Sequence, residues 1–147
     1  MAEFRIASSD DLDTLIGFAR AFYAHERIAF DEAKARTAFR LLTQDPQLGR
    51  AWIIVADAAP VGYSVVTFGF SIEYGGRDAI VDEIYIQESH RHRGLGARAL
   101  RLAEDACREV GIHALHLEVE RSNAAAQVFY RAHGFVDHDR YFMTKDV

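Results

Sequence analysis

The sequence holds one cysteine, Cys107, among 147 residues. No internal disulfide can form, and a lone thiol suits a reducing compartment, so a cytoplasmic protein is expected. Cys107 shares a helical face with Ala99, Ala103 and Val110, the setting of a small buried thiol and not of a nucleophile. No apolar run approaches the length of a membrane span, so no membrane partner is expected. The opening MAEFRIASSDD lacks a basic stretch followed by an apolar one, so no signal peptide is read there. No repeat, low-complexity segment or linker interrupts the chain, and residues 1–147 read as a single domain. Basic residues are not in excess. The net charge is −5, which argues against general nucleic-acid binding and permits a cationic small-molecule partner. Neither His90-x-His92 nor His113-x-x-His116 is completed by cysteine or carboxylate into a ligand set, so no metal is expected.

Half the residues are hydrophobic and 27% are charged, an ordinary globular balance that supports a sizeable core. Glu3–Ala7 reads as a first strand. Ser8 or Ser9 caps a helix carrying Leu12, Leu15, Ile16, Ala19, Phe22 and Tyr23 at helical spacing. A second helix is predicted from Asp31 to about Thr43, stopped by Asp45-Pro46. Ala51–Ala56, Val61–Phe70 and Ala79–Ile86 then form a three-stranded meander with turns at Asp57–Pro60 and Gly75-Gly76. A long helix follows from Gly94 to Gly111, then a strand over Ala114–Val119. A short helix runs from an Asn123 cap to about His133, and a last strand covers Phe135–Met143. The predicted fold is α/β: a mixed, mostly antiparallel sheet flanked by helices, in the order β-α-α-β-β-β-α-β-α-β.

The stretch IVDEIYIQESHRHRGLGARAL, residues 80–100, organises the rest. It reads as strand, basic glycine loop, helix. The leading amides of a helix have no intrahelical acceptor and sit at the positive end of the macrodipole, which makes an anion site suited to phosphate or pyrophosphate. Arg91, Arg93, Arg98 and Arg101 cluster around it. A different class fits one fragment: Gly94-x-Gly96-x-x-Ala99, with Glu118 further on, satisfies a dinucleotide-binding fingerprint. That fingerprint normally follows its strand almost directly, whereas several residues separate Ile86 from Gly94 here.

Two stretches resemble the GNAT superfamily of N-acetyltransferases. Arg91-His92-Arg93-Gly94-Leu95-Gly96-Ala97 matches that family's R/Q-x-x-G-x-G/A signature. Asn123 through Phe135, NAAAQVFYRAHGF, is similar to its N-x-x-A-x-x-x-Y-x-x-x-G-F segment. One departure is the absence of proline from Gln87-Glu88-Ser89. The resemblance implies acetyl transfer from acetyl-CoA to an amine, small-molecule or protein-borne. It implies that the amides of Arg91, His92, Arg93, Gly94, Leu95, Gly96 and Ala97 hold the CoA pyrophosphate. Ile84, Tyr85 and Ile86 would pair with the pantetheine arm as an added strand. Asn123 would touch that arm, and Tyr130 would sit by the sulfur. A non-catalytic CoA sensor is the alternative within the same resemblance.

Such chemistry needs a proton acceptor for the amine and a proton donor for the departing thiolate. Asp82 and Glu83 are the candidate bases, and strand alternation puts them on opposite faces. The resemblance favours Asp82, nine residues before Arg91; Glu118 is a further possibility. Asp82 and Glu83 also read as solvated strand residues. Tyr130, the candidate acid, also reads as a packed core tyrosine. Glu73 and Tyr74 are candidates for gripping the acceptor together with Glu118, and the acid around them favours a cationic one. Oligomeric state is open, a homodimer included.

Overall fold

The computed structural model describes residues 1–147. The strands β1 (Glu3–Ile6), β2 (Gly49–Ala56), β3 (Ala59–Ser71), β4 (Gly76–Ile86) and β5 (Leu115–Leu117) stand side by side in that order. The first four pair antiparallel, and β5 joins β4 in parallel. The helices are α1 (Leu12–Glu26), α2 (Glu32–Gln44), α3 (Leu95–Glu109) and α4 (Ala124–Ala132). No helix is long and apolar enough to cross a membrane.

Two apolar clusters lie on opposite faces of the sheet. Leu15, Ile16 and Ala19 of α1 and Phe39 of α2 pack on Ile53, Tyr63 and Val65. Leu100, Ala103, Ala106 and Cys107 of α3 pack on Trp52, Val66, Ala79 and Val81. Fully buried members such as Leu15, Ile53 and Leu100 are each worth about 1.5–3 kcal/mol of transfer free energy. Cys107 is buried among them, as its helical face predicts. The edges of α1 and α2 follow their end residues. Arg27 closes α1 in the left-handed region at φ 57°, and the Asp31 carboxylate caps α2 by accepting from the Lys34 amide.

The strand alternation of β4 is broken at one place. Val66 of β3 is opposite Val81 and Val65 is opposite Glu83, so Asp82 is the extra residue of a β-bulge. Before the bulge, Ala79 and Val81 face α3; after it, Glu83 and Tyr85 face α1. Pairing with β5 stops at the same point, running only from Ala79–Leu115 to Val81–Leu117.

The last strand expected over Phe135–Met143 is not formed. The polar middle of that segment is engaged sideways instead: Arg131 holds Asp137 at 2.8 and 2.5 Å, and Arg140 holds Glu73 at 2.9 and 2.8 Å. The three-residue β5 offers a short edge for any further ladder. Val136, Tyr141, Phe142 and Met143 stay exposed.

Candidate active site

Beyond Ile86 the chain makes one 3₁₀ turn, Glu88–His90, and enters α3 through two left-handed residues, His92 (φ 60°) and Gly94 (φ 78°). The first intrahelical bond runs from the Arg98 amide to the Gly94 carbonyl. The amides of Leu95, Gly96 and Ala97 therefore lack intrahelical acceptors, no side chain caps them, and the first turn carries no acid. A Cβ on Gly94 would meet nothing within 4 Å, so the cradle faces open space. Gly96 is small for another reason: a Cβ there would come within 3.3 Å of the Phe129 ring of α4.

The four arginines of this region do not act alike. Arg91 turns back, donating from Nε to the Ile86 carbonyl at 2.8 Å and lying over the Tyr85 ring. Arg98 donates to the Ala2 carbonyl and lies over Phe4. Both brace the loop and the N-terminus. Arg93 and Arg101 stay exposed.

Beyond the bulge, the part of β4 that leads to this loop is paired on one side only. Ile84, Tyr85 and Ile86 pair with Ser64, Tyr63 and Gly62 on one side, and β5 has already ended on the other. Their outer edge is an unpaired strand edge between loop and fork. In the fork itself lies a cavity of about 100 Å³ lined by Ile80, Val81, Asp82 and Glu118. A larger cleft of about 640 Å³ opens between the end of α1 and the loop before α4, lined by His25, Glu26, Arg27, Glu120, Ser122 and Asn123 among others.

The titratable groups around the fork differ in their surroundings. Asp82 reaches solvent, yet the walls of the fork strip enough water from its carboxyl to raise it above the usual carboxylate range. Glu83 is half-buried and accepts two phenol hydrogen bonds, from Tyr23 at 2.6 Å and Tyr63 at 2.8 Å. Burial raises its carboxyl, and the phenols pull the other way. Tyr130 stands with its ring edge-on to Phe129 and Phe135, at 5.3 and 5.9 Å. Burial, followed by the charge of Glu26, raises its phenol. Asn123 caps α4 through its side-chain oxygen, accepting from the Ala126 amide at 3.1 Å, and also lines the larger cleft.

The structure thus brings Asp82, Glu118 and the open β4 edge together, and it places Asn123 and Glu26 around the neighbouring cleft. Glu73 is set apart: its carboxylate is engaged by both terminal nitrogens of Arg140. Tyr74 packs edge-on against His116, 4.6 Å between ring centres, and His116 faces Asp78 at 3.2 Å. No group of three or more His, Cys, Asp or Glu side chains converges as a metal set would. The sequence alone assigns no site role to Tyr23, Tyr63, Glu26 or Asp78. Tyr23 did carry a signal, since it falls on the apolar stripe of α1 with a hydroxyl that must find a partner if buried.

Comparison with known proteins follows the same lines. The model described as the acetyltransferase (GNAT) family matches residues 19–135. An L-methionine sulfoximine/L-methionine sulfone acetyltransferase of Pseudomonas paraeruginosa is 26% identical over 110 residues, 74% of this chain and 58% of that protein. The chain therefore spans less than two thirds of that relative. An integron cassette protein from the mobile metagenome of the Cole Harbour salt marsh is 34% identical, with a TM-score of 0.84 over 98% of this chain and 90% of the other. The aminoglycoside N-acetyltransferase AAC(6')-Iy, solved in complex with CoA, shares 13% identity and has a TM-score of 0.86 over 99% and 95% of the two chains. That last likeness is one of fold.

Proposed function

Because the chain belongs to the acetyltransferase (GNAT) family, we propose that it transfers an acetyl group from acetyl-CoA to a primary amine. The observation that carries this reading is the succession of unpaired backbone from the bare N-terminus of α3, along the free edge of Ile84–Ile86, to the fork whose cavity Asp82 lines. The donors fit the cofactor. Free amides and Gly94 suit a pyrophosphate, and an open strand edge suits an arm carrying amide groups. When bound, acetyl-CoA supplies the activated thioester. The competing dinucleotide reading draws support only from the single parallel unit β4–α3–β5; the rest of the sheet is antiparallel.

The chain's own residues have defined tasks. An alkyl amine is protonated at neutral pH, with a reference pKa near 10.4, and must lose that proton before it can attack. Asp82 stands in the fork with a raised pKa, and a stronger conjugate base is the better proton acceptor. Glu118 shares its cavity. A backbone amide of the open β4 edge can donate to the developing oxyanion. Tyr130 supplies the proton for the leaving thiolate. Its raised pKa keeps the phenol protonated throughout the neutral range, and each unit by which it exceeds the thiol makes complete transfer about 1.4 kcal/mol less favourable.

Glu26 and Glu120 at the larger cleft, with Asp82, Glu83 and Glu118, favour an acceptor carrying positive charge. By their descriptions, the Pseudomonas relative acts on amino-acid derivatives and the enzyme of like fold on aminoglycosides, so small amines of both kinds belong in the first screen.

Tyr130→Phe tests the acid. It keeps the ring and its contacts with Phe129 and Phe135 and removes only the proton. The expected result is a folded protein, nearly unchanged acetyl-CoA affinity, and kcat lowered by roughly 10–10³-fold. Melting temperature and kcat measured on one preparation decide between this and a packing role. Full turnover in the variant ends the assignment.

A further inference from the structure

The side of the sheet that faces α1 carries a feature the proposed reaction does not yet use. Glu83 projects there because the bulge at Asp82 has reset the alternation of β4. Its two carboxylate oxygens are held by different elements. Oε2 accepts from the Tyr23 hydroxyl at 2.6 Å, from the last turns of α1, and Oε1 accepts from the Tyr63 hydroxyl at 2.8 Å, from the centre of β3.

Tyr63 cannot move aside. It is fully buried, and the rings of Phe18, Phe22, Phe39 and Tyr85 surround it at 6.0–6.5 Å between centres. Tyr23 is wedged edge-on between Phe22 and Phe30, at 5.9 and 5.3 Å.

The charged and titratable groups that act on Glu83 are Tyr23 from α1, Tyr63 from β3 and Asp82 beside it on β4. No lysine, arginine or histidine faces it. A half-buried carboxylate beside a second carboxylate and away from any cation tends toward its neutral form. Two phenol donors oppose that tendency. The direction of these bonds is fixed, because burial and the neighbouring carboxylates raise both phenols and keep their protons in place. Apolar side chains of the same shape would fill this position without desolvating three polar groups. Convergence of two phenols on one carboxylate, one residue from the fork, therefore points to the reaction.

Resting on the acetyltransferase reading above, we propose that Tyr23 and Tyr63 are positioning residues that hold Glu83 as an oriented anion for the acceptor's ammonium group, next to Asp82, which takes the proton. A carboxylate oxygen that accepts one phenol keeps a second lone pair. The two phenols leave those lone pairs as the remaining place for a cationic donor.

The test is the pH profile of acceptor kcat/KM in Tyr23→Phe, Tyr63→Phe and Glu83→Gln. Losing one donor removes a hydrogen bond to a charged group, so Tyr23→Phe should lower kcat/KM for the acceptor about 10–100-fold at neutral pH. The loss should fall mainly on acceptor KM, with KM for acetyl-CoA within about twofold of wild type. Removing a donor also raises the Glu83 pKa, so the acid limb of the profile should move to higher pH. Adding Tyr23→Phe to Glu83→Gln should have little further effect, because the tyrosine acts through the carboxylate. A Tyr23→Phe profile that superimposes on wild type, with only a lower melting temperature, overturns the proposal. If Tyr63→Phe does not fold, the half-buried Tyr23 carries the test alone.

Should wild type acetylate no amine, the acetyltransferase reading fails and the acceptor role falls with it, while the hold of the two phenols on Glu83 is tested separately. In carbon-13 NMR of the labelled Glu83 carboxyl, the titration midpoint should rise in Tyr23→Phe. An unmoved midpoint overturns the network.

Discussion

Gly94→Glu is expected to abolish CoA binding in a protein that still folds. Gly94 sits at φ 78°, and a Cβ there meets nothing within 4 Å. The fold therefore bears only the backbone strain of a left-handed non-glycine residue, about 1–2 kcal/mol. A glutamate at the head of the helix is within reach of the cradle, and its carboxylate can take the amides of Leu95, Gly96 and Ala97 that a pyrophosphate would use. Occupation and like-charge repulsion act together, so titration calorimetry should show no measurable binding of CoA. Gly94→Ala carries the strain without the charge and should lose far less. Unchanged affinity in a folded Gly94→Glu protein would remove the loop from the site.

Asp82→Asn is expected to lower kcat by about 10²–10⁴-fold at neutral pH while sparing CoA affinity. Asp82 must be ionised to accept a proton, and crowding in the fork raises its pKa above the usual carboxylate range. Wild-type kcat should therefore fall as pH drops through that raised value, and this acid limb should vanish in the variant. At high pH the free amine becomes abundant, and the deficit should shrink. An equal deficit at every pH would show a binding or structural role instead. The neighbouring carboxylate gives a contrast, since Glu83→Gln should act chiefly on acceptor KM. If Glu83→Gln collapses kcat and Asp82→Asn does not, the two roles are exchanged.

These two residues also show how far the sequence can be read. The strand–loop–helix unit of residues 80–100 was legible because its signals are local: a β-rich run, glycines at a helix start, and an apolar stripe. The Asn123 cap and the Cys107 face were legible for the same reason. The bulge was not. Nothing in Val81-Asp82-Glu83 marks it, because it arises from how β4 meets β3 and where β5 stops. Simple alternation separates Asp82 from Glu83 but does not reveal that Asp82 is an unpaired residue at a fork. The phenol contacts of Glu83 join residues 60 and 20 positions away, a distance that no periodicity encodes. The arginine cluster misled in part: a guanidinium beside an anion loop can serve the ligand or brace the loop, and Arg91 and Arg98 do the second. The last strand misled because apolar residues at its two ends imitate a strand. Its Asp137–Arg140 centre binds side chains of α4 and of the β3–β4 turn instead.

The measurement that bears most directly on the whole account is thiol release from acetyl-CoA by the wild-type protein. It is followed with each member of a panel of amines: polyamines, aminoglycosides, amino acids and their derivatives, and peptides with free amino groups. The account predicts release that depends on the amine, saturates with it, and is strongest for acceptors carrying more than one positive charge. Tight CoA binding with no amine raising release above background hydrolysis would contradict it and leave a CoA-binding sensor.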